Sequence, residues 1–345
     1  VLRDSRVQAA VIEAARGGLL RRGSATNRAD VAVVTNLSLD HMGAYGIDDL
    51  DAMAAVKLIV TNLVGPGGLV VLNADDPVLV RHVAQVEAPT GWFALDVDAP
   101  WLRAARAAGA PTCGVRNGRL VLTQAGATHD LGAIVSMPLT IEGSATYNVA
   151  NLAGAALAAM ALSLSPAAIR EVFARFGDSA ADNPGRLMRF DLGGLKVIVD
   201  YAHNPEGLRG ALVVARKLAA HGRLLLLLGQ AGDRGDADIA ALGEVAARSQ
   251  PDLVVIKEMK DYLRGRVAGE VPGILRRALL GHGLTAGQLL EQDSEIAAAR
   301  AALSAARAGD AVLLPVHGVA ARGEVLALIE RLRSAAWQAG TGLPE

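Results

Sequence analysis

Apolar residues along the first part of the chain follow two alternating patterns, short buried runs and longer stretches with helical spacing. Residues 31–35 form a β-branched apolar run, and residues 48–63 then repeat apolar side chains every three or four positions. Glycine and proline at residues 65–68 predict a turn before a second apolar run at residues 69–72. This order predicts a parallel unit of strand, helix and strand.

The pattern changes between residues 91 and 141, where short runs are separated by Gly, Asn and Asp. Asn117 and Gly118 stand between alternating residues, which indicates a β-hairpin. We interpret this region as a small β insertion, followed by an Ala-rich helix over residues 148–164. Residues 177–185, rich in Asp, Asn, Pro and Gly, predict a linker between two domains.

Strands and helices alternate again in the second half of the chain. Strands are predicted at residues 196–199, 223–228, 253–256 and 311–314, and helices at residues 207–220, 237–249, 271–280, 294–306 and 323–336. Such an order predicts a doubly wound sheet, whose ligands bind at the carboxyl ends of the strands. We therefore expect an α/β protein with one domain at residues 1–183 and a second at residues 184–345.

The amino-acid composition excludes some classes of binding partner. The 345 residues carry a net charge of -1 and no dense Lys/Arg stretch, so neither nucleic acid nor an anionic membrane is an expected partner. Aromatic residues make up only 3% of the chain, which favours cores of Ala, Val and Leu. Cys113 is the single cysteine and no apolar run is long enough to span a bilayer, so we expect a cytoplasmic protein.

Asp40 and His41 follow the first predicted strand, at the end where open α/β sheets hold their active sites. An acid beside a neutral imidazole can hold a divalent cation or a water molecule. A structural loop is an equally good interpretation of this pair taken alone. The neighbouring sequence therefore has to decide between the two.

Residues 13–18, residues 35–43 and Lys57 together resemble the central ATPase domain of the Mur ligases. The resemblance implies that Glu13 and His41 bind magnesium, and that Lys57 is carbamylated and supplies a further carboxylate ligand. From the residues alone, Glu13 as a helix cap or ion-pair partner and Lys57 as a solvated helix residue both remain open.

Residues 147–151, at the start of the Ala-rich helix, resemble the family's Gly-x-His-Asn-x-x-Asn segment, with Tyr147 in place of the usual histidine. The resemblance implies that Asn148 and Asn151 bind the nucleotide, with Asn151 contacting the adenine edge. An amide suits this role because it offers both a donor and an acceptor. Asn148 as a simple helix cap is the alternative.

Residues 183–186 resemble the family's hinge motif, which implies that Arg186 contacts the nucleotide phosphates. Residues 199–205 resemble the signature that opens the carboxy-terminal domain of Mur ligases and folylpolyglutamate synthetases. This second resemblance implies that Asp200 holds the ribose or its surroundings, together with His203 and Asn204. A buried charge at a strand end requires partners, which argues against a pure core role for Asp200.

Residues 228–234 resemble the family's Gly-rich Asp-Arg turn, which makes Asp233 and Arg234 candidates for binding substrate. The charged segment at residues 257–270 resembles the cyanophycin synthetases in particular. Arg264 and Arg266 within it would suit the carboxylate of an acidic peptide. A solvated charge run is the other interpretation of this segment.

The resemblance implies an α/β Mur ligase central domain, truncated at its amino terminus and carrying a β insertion, followed by a Rossmann-like carboxy-terminal domain. The implied activity is ADP-forming ligation of an amino acid, arginine in a cyanophycin-type enzyme, to the carboxylate of an acidic peptide through an acyl phosphate. The cofactors would be ATP and Mg²⁺. Lys57, His41 and Asp200 are the expected catalytic residues.

The family's Gly-x-x-Gly-Lys-Thr phosphate loop has no counterpart in the chain. We expect that loop upstream of Glu13, so that this chain alone folds, binds ATP weakly and does not ligate. An exposed edge of the first sheet would then favour a homo-oligomer. A non-catalytic fragment with a role in assembly or peptide binding is an alternative, whereas a dinucleotide oxidoreductase is disfavoured because no Gly-x-Gly-x-x-Gly follows a strand.

Overall fold

A computed structural model describes residues 4–38 and 46–344 of the chain. The chain forms two compact units, each with its own six-stranded sheet. The first unit contains Val1–Ser136 and Asn148–Ala174, and the second contains Met137–Tyr147 and Arg175–Glu345. Among the described residues, every helix is too short or too polar to span a lipid bilayer.

The sheet of the first unit follows chain order, and its strands are β1 (Ala29–Val34), β2 (Val64–Asn73), β3 (Thr90–Asp96), β4 (Thr112–Arg116), β5 (Arg119–Gln124) and β6 (Ala127–Ala133). Pairing is parallel from β1 to β4 and antiparallel from β4 to β6. The helices before, between and after them are α1 (Arg16–Arg22), α2 (Leu50–Lys57), α3 (Pro77–His82), α4 (Pro100–Ala107), α5 (Thr146–Ala161) and α6 (Pro166–Phe173). The division between the two units falls inside α5.

The hairpin predicted at Asn117 and Gly118 is confirmed. Both residues have positive φ, 49° and 72°, as a two-residue turn between β4 and β5 requires. The β insertion extends the parallel sheet at one edge, because β4 pairs with both β3 and β5.

The turn predicted at residues 65–68 is wrong. Those residues lie inside β2, where the register jumps from the pair Ala29 and Val64 to the pair Val31 and Leu69. Gly68 explains how the strand tolerates this bulge, since a Cβ atom there would lie 2.5 Å from the carbonyl oxygen of Asp30.

The second unit has the strand order β11-β10-β9-β12-β8-β7, made from β7 (Met188–Leu192), β8 (Leu195–Asp200), β9 (Leu224–Leu228), β10 (Leu253–Lys257), β11 (Leu289–Gln292) and β12 (Ala311–Pro315). All pairs are parallel except that of β7 with β8. Its helices are α7 (Pro205–Ala219), α8 (Asp236–Arg248), α9 (Glu270–Gly281), α10 (Glu295–Ala305) and α11 (Val319–Ser334).

Hydrophobic cores cover both faces of this second sheet. Leu224, Leu226 and Leu228 join the cluster beneath α7, α8 and α9, whereas Leu225 and Leu227 join the cluster beneath α10 and α11. Successive side chains of a strand point to opposite faces, so a strand buried on both sides needs an unbroken apolar run. The predicted doubly wound arrangement is confirmed.

Strands β7 and β11 were not predicted. β7 is an antiparallel edge strand joined to β8 by Gly193 and Gly194, with φ of 52° and 84°. β11 has only four residues, two apolar residues followed by two polar ones. The sequence also predicted neither α4 nor α6, each of which is eight residues long.

Strand β12 lies between β8 and β9, so the chain reverses its direction of winding at this point. Ligands of open α/β sheets bind at such a reversal, beyond the carboxyl ends of the strands. The segments at those ends begin at Tyr201 after β8, Gly229 after β9, Glu258 after β10 and Val316 after β12. They define the candidate site of the second unit.

Candidate functional site

Asp200 closes strand β8 and is buried, with 8% of its surface exposed. Its two carboxylate oxygens accept hydrogen bonds from the backbone N–H groups of Leu187 and Ala202, both at 2.7 Å. Burial raises the pKa of this carboxyl group, and the backbone donors and the charge of Arg186 act in the opposite direction. Asp200 thus holds the segment around Arg186 against the segment that follows β8.

Tyr201 lies beside Asp200, and its ring faces a guanidinium group. The Cζ atom of Arg186 is 4.8 Å from the centroid of the Tyr201 ring, which is a cation–π distance. Arg186 is exposed and follows Gly185, whose φ of 77° is in the left-handed region. This backbone conformation directs the chain so that Arg186 stands above Tyr201.

His203 and Asn204 stabilise the turn between β8 and α7. The Nδ1 atom of His203 donates to the carbonyl oxygen of Tyr201 at 3.2 Å, and the side-chain amide of Gln230 donates to the carbonyl oxygen of His203 at 2.6 Å. Asn204 caps α7, since its side-chain oxygen accepts from the backbone N–H of Gly207 at 2.8 Å. A nucleotide-binding role for His203 and Asn204 stays a prediction.

A buried ion pair lies beneath these loops. The ammonium group of Lys257, at the end of β10, donates to the carboxylate of Glu295 and to the carbonyl oxygen of Pro315, the latter at 2.6 Å. Lys257 is 1% exposed and Glu295 is 6% exposed. Gly229 makes room for the lysine, because a Cβ atom at that position would lie 2.4 Å from Cγ of Lys257.

Glu295 also holds the loop after β12. Its carboxylate accepts from the backbone N–H groups of His317 and Gly318, both at 2.9 Å. Burial acts to raise the pKa of Glu295, but the charge of Lys257 and these donors outweigh it and hold the pKa below its usual value. The pKa of Lys257 is lowered by burial, which the neighbouring carboxylate opposes.

His317 is the imidazole that this network positions. Its Nε2 atom lies 3.0 Å from the carbonyl oxygen of Ala202, so Nε2 carries the proton and donates. Burial, helped by the charge of Lys257, places the pKa of His317 well below the usual value of 6.5. The ring is therefore neutral at pH 7, with its Nδ1 atom deprotonated.

The four residues predicted to bind substrate are in different environments, and they are Asp233, Arg234, Arg264 and Arg266. Arg266 has a largely buried side chain that donates to the carbonyl oxygens of Gly232 and Arg234 and pairs with Asp236 and Glu270. Its donors are thus engaged within the protein, and it fixes the glycine-rich turn after β9.

Arg264 and Asp233 are exposed, and Arg234 is half-buried. The guanidinium Cζ of Arg264 is 5.5 Å from the centroid of the Tyr262 ring. Of the two arginines predicted to bind a substrate carboxylate, Arg264 is the one whose donors face solvent.

Asn148 and Asn151 lie on α5 in the first unit. Asn148 is buried and Asn151 is exposed, and the side-chain amide of Asn151 donates to the side-chain oxygen of Asn148 at 3.3 Å. This contact orients the exposed amide of Asn151, which keeps a carbonyl oxygen and an N–H group for a ligand.

Comparison with known protein families gives two matches along the chain. The family model described as the Mur ligase middle domain matches residues 1–159, and the one described as the Mur ligase glutamate ligase domain matches residues 185–315. The chain belongs to the Mur ligase family. Its fold class is therefore the one that the sequence predicted.

Among curated relatives, this Mur ligase family chain is similar to the cyanophycin synthetase of Synechocystis sp.. The two are 34% identical over 315 residues, which is 91% of this chain and 36% of the relative. The chain thus spans about a third of the length of that relative.

Two solved structures share the fold of this Mur ligase chain. E. coli FolC in complex with DHPP and ADP gives a TM-score of 0.63 at 23% identity, with 90% of this chain and 64% of that chain covered. The Yersinia pestis bifunctional folylpolyglutamate synthase/dihydrofolate synthase, complexed with AMPPNP and Mn ion, gives a TM-score of 0.58 at 20% identity, with 87% and 62% covered.

The metal ligands expected of a Mur ligase are only partly within the described residues. Glu13 is exposed in an irregular segment before α1, and Lys57 is half-buried at the last position of α2. His41 and Asp40 lie outside the described residues. Among the described residues, no group of three His, Cys, Asp or Glu side chains converges on one point, so the metal site stays a prediction.

Sequence reasoning missed the buried pair that supports the site of this Mur ligase chain. Lys257 belongs to the segment for which a solvated charge run was one interpretation, and that interpretation is wrong for Lys257. Its partner Glu295 comes 38 positions later, at the first residue of α10. The one signal of this pair in the sequence was a lysine directly after the apolar run Val254–Ile256.

Proposed function

We propose that this chain forms the nucleotide-holding and ligating part of an ATP-dependent, ADP-forming enzyme that joins a carboxylate to an amine. The observation that carries the proposal is the buried Asp200 beside the exposed guanidinium of Arg186, at the reversal point of the second sheet. Membership of the Mur ligase family and a fold shared with an ADP complex support it.

The proposed reaction begins with a substrate carboxylate, which is a poor electrophile. Its oxygen would attack the γ-phosphorus of ATP, the bond from that phosphorus to the bridging oxygen would break, and ADP would leave. An amine would then attack the resulting acyl phosphate, lose a proton and expel phosphate to give the amide. Arg186 would stabilise the phosphate charge, and Asp200 would accept a hydrogen bond from the ribose or hold its surroundings.

The proposed nucleotide ligands of the first unit are Asn148 and Asn151, with the exposed amide of Asn151 on the adenine edge. Glu13, His41 and carbamylated Lys57 are the proposed magnesium ligands. Magnesium would neutralise charge on the transferring phosphoryl group. The manganese and AMPPNP in the Yersinia pestis structure support a divalent ion for that protein.

For the substrates, we propose an acidic peptide as the carboxylate donor and an amino acid, arginine, as the amine. The similarity to a cyanophycin synthetase and the exposed guanidinium of Arg264 support this choice. Asp233 is exposed on the neighbouring turn and is the proposed contact for a cationic amine, next to Arg234. Arg266 would act through the turn that it fixes.

We also propose a domain boundary, a cellular location and an oligomeric state. We retain the domain boundary at residues 183 and 184, although residues 137–147 and 175–183 group with the second compact unit. A cytoplasmic location follows from the need for ATP. A homo-oligomer remains an expectation.

The test uses the complete gene product with MgATP, an acidic peptide and arginine. We expect ADP and phosphate release only when both substrates are present, and formation of a hydroxamate when hydroxylamine replaces arginine. Asp200→Asn and His41→Ala should each abolish turnover while circular dichroism stays unchanged. A wild-type product that binds the peptide but never consumes ATP would contradict the proposal and support a role in assembly.

A further inference from the structure

Two arginine side chains lie against the same tyrosine ring in the second unit. The guanidinium Cζ of Arg186 is 4.8 Å from the centroid of Tyr201, and that of Arg322, in the first turn of α11, is 5.8 Å from it. The ligase mechanism proposed above uses Arg186 and gives no role to Arg322.

Neither guanidinium has a carboxylate within ion-pair distance among the described residues. Arg322 donates once, to the carbonyl oxygen of Val316 at 3.3 Å, and the guanidinium of Arg186 forms no hydrogen bond in the described part of the chain. Asp200 influences Arg186 by its charge, but both of its oxygens already accept backbone N–H groups. Most donor positions of the two arginines are thus left for another acceptor.

The backbone brings the two cations together. Gly185 precedes Arg186, and a Cβ atom at Gly185 would lie 3.2 Å from Nε and 3.3 Å from Cζ of Arg322. A glycine with a φ of 77° therefore provides both the turn that carries Arg186 and the space for Arg322.

Such an arrangement is unfavourable in the absence of an anion. Arginine stays protonated at any physiological pH, so two neighbouring guanidinium groups repel each other. An oxyanion between them would attract both guanidinium groups more strongly than they repel each other. It would also accept several charge-assisted hydrogen bonds. Stacking on Tyr201 would hold both planar groups in orientation before the anion arrives.

We propose that Arg186 and Arg322 together form a phosphate-binding site on Tyr201, with Arg322 as its second arginine. The site takes a phosphate oxyanion, either of the nucleotide or of the phosphate that the reaction releases. This inference rests on the proposed function for the source of the phosphate.

The first experiment is calorimetric titration of this chain with inorganic pyrophosphate, and separately with adenosine, at constant ionic strength. Arg322→Gln should weaken pyrophosphate binding by about tenfold or more, the factor that corresponds to one charge-assisted hydrogen bond. Adenosine binding should not change. Arg331→Gln is the matched control, because Arg331 is an exposed arginine on the same helix and should leave pyrophosphate binding as it is.

Thermal unfolding gives a second readout, which a merely structural role would not reproduce. Without phosphate, Arg322→Gln should match or exceed the Tm of the wild type, because the variant removes like-charge repulsion. With the same concentration of pyrophosphate, the Tm of the variant should rise less than that of the wild type. Arg322→Lys should keep part of this rise.

Two outcomes would overturn the inference. One is unchanged pyrophosphate affinity in Arg322→Gln, and the other is a fall in its Tm that pyrophosphate does not affect, which would make Arg322 a structural partner of Val316. Failure of the ligase proposal would give a different result, namely pyrophosphate binding that depends on Arg322 in a chain whose complete gene product never forms ADP.

Discussion

Lys257 and Glu295 form an ion pair buried beneath the loops that carry Tyr201 and His317. The two residues come from the end of β10 and the start of α10, and the pair also engages the carbonyl oxygen of Pro315 and the backbone N–H groups of His317 and Gly318. A network of this kind gives the loop after β12 a single position. The geometry of the candidate site therefore depends on two charges that are buried beneath it.

Replacing one member of this pair leaves the other charge buried without an opposite charge beside it. We expect Lys257→Met to lower the free energy of unfolding by about 3–5 kcal/mol. The double variant with Glu295→Gln should lose less than the sum of the two single variants, because it leaves no unpaired charge. Urea unfolding followed by circular dichroism measures all three.

Lys260→Met is the control for this series, since Lys260 pairs with Asp293 at 2.9 Å in an exposed position. It should change the free energy of unfolding by less than about 1 kcal/mol. An equally small change in Lys257→Met would show that the buried pair does not form in solution.

Gly229→Ala tests the same ion pair by adding a methyl group in the space that the Lys257 side chain occupies. The added Cβ atom would lie 2.4 Å from Cγ and 2.7 Å from Cε of Lys257, so the lysine must move away from Glu295. We expect a loss of about 1–3 kcal/mol in urea unfolding. Gly281→Ala, with no atom within 4 Å of the new Cβ, should be neutral or slightly stabilising, and equal effects of the two changes would contradict this account.

The buried imidazole of His317 predicts a pH dependence of stability. Its pKa is below 6.5 in the folded state, so from about pH 6.5 downward the unfolded chain binds a proton that the folded chain does not. Stability should therefore fall with pH between 6.5 and the folded pKa, by at most about 1.4 kcal/mol per pH unit from this group. Lys257, His203 and Arg322 act on this ring in the same direction.

His317→Asn should remove this contribution, while its amide keeps a donor for the carbonyl oxygen of Ala202. The measurement is urea unfolding of both proteins between pH 4.5 and 7.5, with the difference taken at each pH. His221→Asn, at an exposed position, serves as the control and should parallel the wild type. A difference between His317→Asn and the wild type that stays constant with pH would mean that His317 is not buried as a neutral group.

The resemblance to Mur ligases predicts that Lys57 is carbamylated. In the complete gene product, Lys57→Ala should lose ligase activity and regain part of it when formate or acetate supplies the missing carboxylate. Phosphate release with and without the added acid measures the effect. An active Lys57→Ala variant would leave Lys57 as a helix residue at the end of α2, without a role in the site.

The local sequence was sufficient for most of the architecture. The apolar run at residues 223–228 predicted a strand of a doubly wound sheet, and Asn117 with Gly118 predicted a hairpin, because both depend on burial pattern or backbone conformation within a few residues. The turn predicted at residues 65–68 was wrong because the conformation there depends on a residue from another strand. Gly68 permits close approach to the carbonyl oxygen of Asp30 in β1, which the local sequence does not contain.

For the candidate site, the sequence by itself predicted that Asp200 stands at the carboxyl end of a strand and that Arg186 comes shortly before it, since the motifs around them are contiguous. Only the tertiary structure decided that Lys257 is buried against Glu295, that Arg266 is engaged by its own loop, and that Arg322 stacks on Tyr201. The carboxyl ends of parallel strands meet at one edge of the sheet although helices separate them along the chain. Whether a charged side chain there is solvated, paired or left for a ligand depends on groups that the chain supplies from distant positions.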